Sequence, residues 1–411
     1  MDQLTLSSED RFLLQCARIT MNKNTANELK KVLNEDLNWD YIMKRAIKED
    51  ISSLVYWNLR RIEEGKKLPE TVMAQLKKKY LETVGQNMLY SYELGRILKT
   101  FKDAGIATIC LKGAFLAESI YQNIGLRSLS DIDLLIRDTD LQMTKTVLPQ
   151  LRYQPVDVYP TEWHEQWWTL LCKNQQIVYV NMKKKVFLEI NWHIQSLSSP
   201  FEINIDTFWK NAQPVTIADV EALAFAPEDL LQHLCVHLYK HGIQGATRLK
   251  WYCDIAEVIE FYGEKISWKY LLESTRNYRT EEPMYSGLYS VKAFLGASVP
   301  SHILNKLNPD IYITFENMFG KKFKSLKKKK SLRKTNYLFT LKEVDGIWKK
   351  IYLLLKDIFP SKKFMIRHYS IKKKSLVYVY YFLRLGAAFK WGIFLLQQTF
   401  SYLQNCFQKL Y

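Results

Sequence analysis

Two aspartates one residue apart, Asp131 and Asp133 in the run DIDLLI, are the side chains best able to do chemistry in this chain. In an extended strand alternate side chains share a face, so both carboxylates point the same way with Cα atoms about 6.5–7 Å apart, while Ile132 turns into the core. Paired hard oxygen donors at that spacing suit Mg²⁺, and ions held this way stabilise both the attacking and the leaving oxygen of an in-line displacement at phosphorus. On an edge strand the same pair would be two solvated acids, so the neighbouring residues decide between the readings.

Upstream, LKGAF at 111–115 follows a β-like run and opens a helical one. A glycine at such a turn lets backbone amides approach phosphate oxygens, and a helix N-terminus favours their negative charge. Lys112, Gly113 and Ala114 are therefore expected at a nucleotide's phosphates, Lys112 as a point charge. A third acid is expected to activate the attacking hydroxyl. Glu189 in VFLEINW suits that role, with Asn191 and His193 on the same strand face. Arg127, in the loop GLRSLSD, is expected to neutralise a phosphate or to orient Asp131. Ser128 and Ser130 are candidate hydrogen-bonding groups of the same loop.

His233, His237 and His241 recur every fourth residue, which places them on one drifting stripe of a helix. No HExxH pattern accompanies them. Packing and interhelical hydrogen bonds explain such a stripe as readily as ligand binding does; His237 and His241 are taken as accessory site residues facing the nucleotide. Arg248, Lys250 and Asp254, further on, read as a salt-bridged scaffold.

These residues need elements to hold them. From Asp10 to Arg61 apolar side chains recur every three or four positions, as in Phe12, Leu13, Cys16 and Ile19, which predicts helical hairpins. Residues 70–104 keep the helical period for about nine or ten turns before Gly105, a natural helix stop. Short β-like runs follow at 106–110, 131–136, 177–182 and 186–192, with a helix predicted within 114–124 and a hairpin turn at Lys183, Lys184 and Lys185. After Pro227 the pattern is again helical, through EDLLQHLCVHLYKHG, RLKWYCDIAEVIEFYG and Trp268 to Leu295. The fold class is α+β and mostly helical, with a small mixed-sheet core embedded in helical regions.

Charge is segregated along the 411 residues. The net charge of +17 comes from residues 321–411, which hold 22 lysines and arginines against 3 acids, whereas residues 1–320 hold 37 against 39. The stretch 321–334 reads as a charged linker, and Lys327 to Lys330 could track a polyanion. Residues 376–396 are long and apolar enough for a bilayer, but Arg384 and Lys390 interrupt them; with the lysines at 372–374 they suit a buried helix, a partner-facing helix or peripheral membrane contact through 372–396. Six scattered cysteines form no CxxC pair or disulfide framework, and the N-terminus has no secretory pattern. A cytoplasmic protein is expected, with any membrane contact peripheral at the inner face.

The run LKGAFLAESIYQNIGLRSLSDIDLLI resembles the signature of an uncharacterised bacterial nucleotidyltransferase family of the polymerase-β-like superfamily. LEINW is similar to that family's third-acid strand, and APEDLLQHLCVHLYKHG with RLKWYCDIAEVIE to its downstream helices, so the likeness covers about residues 10–310. It implies transfer of a nucleotidyl group from a nucleoside triphosphate to an acceptor hydroxyl with release of pyrophosphate. It further implies two Mg²⁺ ions, or Mn²⁺, held by Asp131, Asp133 and Glu189. The acceptor stays open among a small molecule, a peptide, a protein and RNA. Two positions depart from the family pattern: Ala114 stands where a small hydroxyl residue is usual, and Asn191 where a histidine is expected. The corresponding organisation is an N-terminal helical region (1–104), a nucleotidyltransferase α/β core (105–215), a helical region closing the site (216–320) and a basic C-terminal segment with an apolar helix (321–411). The alternative is a catalytically inactive protein of the same fold, acting as a binding or membrane-surface adaptor.

Overall fold

The computed structural model describes residues 6–21, 23–62, 68–156, 175–195, 199, 201–243, 247–307, 378 and 381. The expected linker at 321–334, the Lys327–Lys330 run and nearly all of the 372–396 stretch lie outside them. Among the described residues no helix is long and apolar enough to cross a membrane.

Four short helices, α1 (Ser8–Gln15), α2 (Lys23–Leu33), α3 (Trp39–Lys48) and α4 (Ser52–Leu59), fulfil the helical pattern of the first sixty residues. Ser7 and Asn38 cap α1 and α3 by accepting from Asp10 N and Tyr41 N, which satisfies otherwise orphaned amides. Helix α5 (Glu70–Asp103) is 34 residues long, about 50 Å at 1.5 Å per residue. Its buried stripe, Val72, Leu76, Tyr90, Leu94, Ile97, Leu98 and Phe101, has the expected helical spacing, but Asn87 and Glu93 are buried within it too.

Gly105 ends α5 with φ +73°, Gly105 N donating to Lys102 O and Ile106 N to Phe101 O. This paired capping pattern uses the left-handed conformation that glycine adopts without strain. It also occupies Ile106, so the strand expected from 106 begins only at β1 (Ile109–Cys110). Helix α6 (Lys112–Ser119) starts and stops earlier than the expected 114–124, because Ile120 N and Tyr121 N both turn back to Leu116 O and Gln122 has φ +52°.

The remaining elements are β2 (Ile132–Leu135), α7 (Leu141–Val147), β3 (Tyr153–Pro155), β4 (Gln176–Asn181), β5 (Val186–Asn191), α8 (Ile205–Asn211), β6 (Gln213–Ile217) and β7 (Val220–Ala224). They are followed by α9 (Pro227–Ile243), α10 (Leu249–Tyr262), α11 (Trp268–Asn277), α12 (Glu281–Leu295) and α13 (Ser301–Leu307).

The strands form one mixed sheet in the order β3-β4-β5-β2-β1-β7-β6. β2 pairs antiparallel with β1 and parallel with β5, and β1 pairs parallel with β7. The β4–β5 hairpin turns at the expected lysines, with Lys185 at φ +55° and its N–H donating to Asn181 O. The β6–β7 hairpin was not expected, and the boundary placed at 215 falls inside β6; the sheet runs on to Ala224 because Leu223 N donates to Thr108 O beside β1. His193 lies beyond the end of β5 and is not a member of its face. The result is an α+β protein, mostly helical, with a mixed sheet among its helices.

Candidate active site

β2 and β5 run side by side in parallel with Asp133 opposite Glu189. Asp133 and Glu189 thus meet at one place on the sheet, and Asp131, just ahead of β2, is close enough for its charge to act on Lys112 and Glu189. Asp133 is almost fully buried, and Lys112 Nζ lies 3.1 Å from its Oδ1. The main chain reinforces this pairing, since Leu111 N donates to Asp133 O at 3.0 Å.

The electrostatics are those of crowded acids around one cation. Burial and then the facing charge of Asp133 push Glu189 up to about 8. Burial and Asp133 also raise Asp131, opposed by Lys112 and by Ser130, whose Oγ donates to Asp131 Oδ1 at 3.0 Å. Burial alone would depress Lys112; the charges of Asp133, Glu189 and Asp131 outweigh it and hold the ammonium protonated. Its backbone has φ +42°, an uncommon conformation for a residue with a side chain, and the sheet contact on one side and α6 on the other over-determine it.

The other expected phosphate contacts are placed differently. Arg127 is buried, with Nη2 donating to Asp254 Oδ2 at 2.9 Å and Nε to Oδ1 at 3.3 Å, while Tyr121 Oη donates to the same Oδ1 at 3.0 Å. Its guanidinium is thus committed to α10. Gly113 serves that arrangement: a Cβ there would lie 2.2 Å from Arg127 Nη1 and 2.8 Å from Leu129 Cδ2. The glycine makes room for an arginine. Ala114 is buried, and its amide donates to Leu111 O, so of the expected turn residues only Lys112 is directed at the acids. Asn191 Nδ2 donates to Leu134 O at 3.3 Å and to Glu189 O at 3.4 Å, bracing the ends of β2 and β5.

Several positioning residues went unanticipated. Asn87 Nδ2 donates to Arg127 O at 2.8 Å and its Oδ1 accepts from Leu129 N at 2.9 Å, Tyr90 Oη donates to Ser130 O at 2.7 Å, and Gln86 Nε2 donates to Leu129 O. α5 therefore grips the loop leading into Asp131 along its backbone. From the opposite side Ser128 Oγ donates to Asp50 Oδ1 at 2.7 Å, and Lys250 bridges Asp50 and Ser128 Oγ. A polar residue inside the apolar stripe of α5 was the available signal for Asn87. Asp50, at φ +62°, gave none.

The histidine stripe lies on α9. His233 is buried, packs edge-on against Phe225 and has no hydrogen-bond partner for Nε2; burial pushes it down to about 3. His237 and His241 pack on Trp251 instead, with ring centroids 5.1 and 4.7 Å away.

Among the described residues no three His, Cys, Asp or Glu side chains are placed to cage a metal by themselves. The donor chemistry at Asp133 and Glu189 nevertheless fits a hard divalent cation. Two facing carboxylates satisfy each other only while a proton or a cation lies between them, and Mg²⁺ needs just one or two protein carboxylates when substrate phosphates and waters complete its shell.

A mixed sheet that carries clustered carboxylates beside a lysine at a strand–helix turn defines a centre suited to handling phosphates. The sequence profile of a family described as uncharacterised nucleotidyltransferase matches residues 35–296, well over half of the chain, and the protein belongs to that family. No curated protein matched the sequence. Among solved structures the chain is similar to an antigenic nucleotidyltransferase-like protein from Paracoccidioides brasiliensis, at 14% identity and a TM-score of 0.30, over 52% of this chain and 96% of that one.

Proposed function

We propose that the protein transfers a nucleotidyl group from a nucleoside triphosphate to an acceptor hydroxyl, releasing pyrophosphate, with Asp131, Asp133, Glu189 and Lys112 as its working groups. The observation that carries this reading is Asp133 facing Glu189 at the β2–β5 register, with Lys112 3.1 Å from Asp133 and Asp131 near enough to act on Lys112 by charge. Membership of the nucleotidyltransferase family supports it.

Mg²⁺ held by Asp131 and Asp133, with Glu189 beside them, would neutralise the triphosphate and favour departure of pyrophosphate. Lys112 exchanges Asp133 for a phosphate oxygen when the nucleotide binds. Glu189, in its carboxylate form, takes the proton of the acceptor hydroxyl as its oxygen forms the bond to the α-phosphorus and the bond to pyrophosphate breaks. Asn191 and Ser130 hold Glu189 and Asp131 in place. The acceptor is a small molecule, a peptide, a protein or RNA.

Incubation of the purified full chain with each α-³²P-labelled triphosphate and Mg²⁺, in the presence of cell extract as acceptor source, tests the proposal. Label should reach an acceptor with wild type and fail to do so with Asp131→Ala and Asp133→Ala. Equal labelling by both variants would end the assignment.

A further inference from the structure

Trp251 opens α10, and its indole meets the imidazole of His241 at 4.7 Å between centroids with 39° between planes. His237 closes the group, 5.1 Å from Trp251 and 4.5 Å from His241. All three rings are half-buried, unlike His233 one turn earlier, which is sealed in the core. They stand near the candidate centre: Lys250, next to Trp251 in the chain, donates to Ser128 Oγ at 3.2 Å and Asp254 accepts from Arg127 at 2.9 Å, Ser128 and Arg127 both lying in the loop running into Asp131, and the Lys112 charge acts on His237 and His241. Burial with neighbouring cations keeps both imidazoles neutral, so the cluster is aromatic without being charged.

Resting on the nucleotidyl-transfer reading, we infer that Trp251 and His241, backed by His237, form the platform on which the base of the nucleoside triphosphate stacks. The phosphates of that molecule are drawn to Lys112, and Arg248, half exposed, paired with Asp50 at 3.4 Å and acting by charge on His241, adds a second cation. A ligand anionic at one end and aromatic at the other matches this order of lysine, arginine and rings. Stacking accepts any π-face, so the platform favours purines over pyrimidines by ring area without selecting one base.

The probe is 2-aminopurine riboside 5′-triphosphate with Mg²⁺ and the full chain, since its fluorescence falls on stacking. Wild type should quench it, and Trp251→Phe should bind within about threefold of wild type. Trp251→Leu, which keeps apolar volume but no ring, and His241→Ala should bind about tenfold more weakly with the quench reduced. Inorganic tripolyphosphate should displace the probe from every form that binds it. Unchanged affinity and quench in Trp251→Leu and His241→Ala, with displacement intact, would overturn the platform and leave the nucleotide site standing. Unchanged probe binding with a raised KM for the acceptor would give the rings to the acceptor and also overturn it. Absence of probe binding to wild type would overturn both readings.

Discussion

Asp133 and Glu189 face each other in register across two parallel strands, with the Lys112 ammonium 3.1 Å from Oδ1 of the first. Like charges pressed together cost stability that function requires. Glu189→Gln puts a neutral amide opposite Asp133 and removes one ionisable group, so its melting temperature should rise by about 2–4 °C, the response to about 1 kcal/mol in a domain of this size. Nucleotidyl transfer by the same variant should fall at least about a hundredfold, the scale of a lost general base. Calorimetry and label transfer on one preparation check both halves.

Lys112 already holds part of the space a metal ion would neutralise. In Lys112→Met the competing cation is gone, so Mn²⁺ affinity without nucleotide should increase several-fold, read from the free-ion electron paramagnetic resonance signal. Triphosphate affinity should decrease about tenfold or more, because the charge meant for the phosphate is lost. A phosphate-only role would leave the Mn²⁺ titration unmoved.

Gly113 leaves space for the Arg127 guanidinium, and Gly113→Ala should force it off Asp254. Breaking a buried, hydrogen-bonded ion pair and crowding the turn should cost about 2–4 kcal/mol in urea denaturation. With Arg127 already replaced by alanine, the same methyl group should cost far less, giving a coupling of about 1 kcal/mol or more in a double-mutant cycle.

His233 is buried neutral and held down at about 3, against an ordinary value of 6.5. Between those values the unfolded chain binds a proton that the folded one refuses, so stability falls as pH falls below 6.5. From pH 6.5 to 5 the loss from this residue should be about 2 kcal/mol. His233→Gln, which cannot titrate, should show a flatter melting profile over that interval than wild type.

The parts of this centre that the sequence disclosed are those fixed by local repetition. Glu189, chosen as the third acid, lies opposite Asp133 of the expected aspartate pair, and the three- to four-residue period outlined α5 almost to its ends. What escaped depends on contacts between distant segments. Gly113 reads as a phosphate-approach glycine until the loop bearing Arg127 is folded over it, and Arg127 reads as a phosphate ligand until Asp254 arrives 127 residues later. The β6–β7 hairpin escaped because its strands are short and only partly buried, and they earn their place by joining β1. Trp251 looked like one more apolar helix residue, since nothing nearby in the chain announces two histidine rings brought to it from α9.

The segment running into Asp131 hangs between α5, which holds its backbone through Gln86, Asn87 and Tyr90, and α10, which anchors it through Asp254 and Lys250. Pruning the chain to its sheet would preserve every acid and abandon their alignment. A fragment starting after residue 104 would be a set of reagents without a jig, and on the proposed function the leading quarter of the molecule belongs to the working centre as much as the carboxylates do.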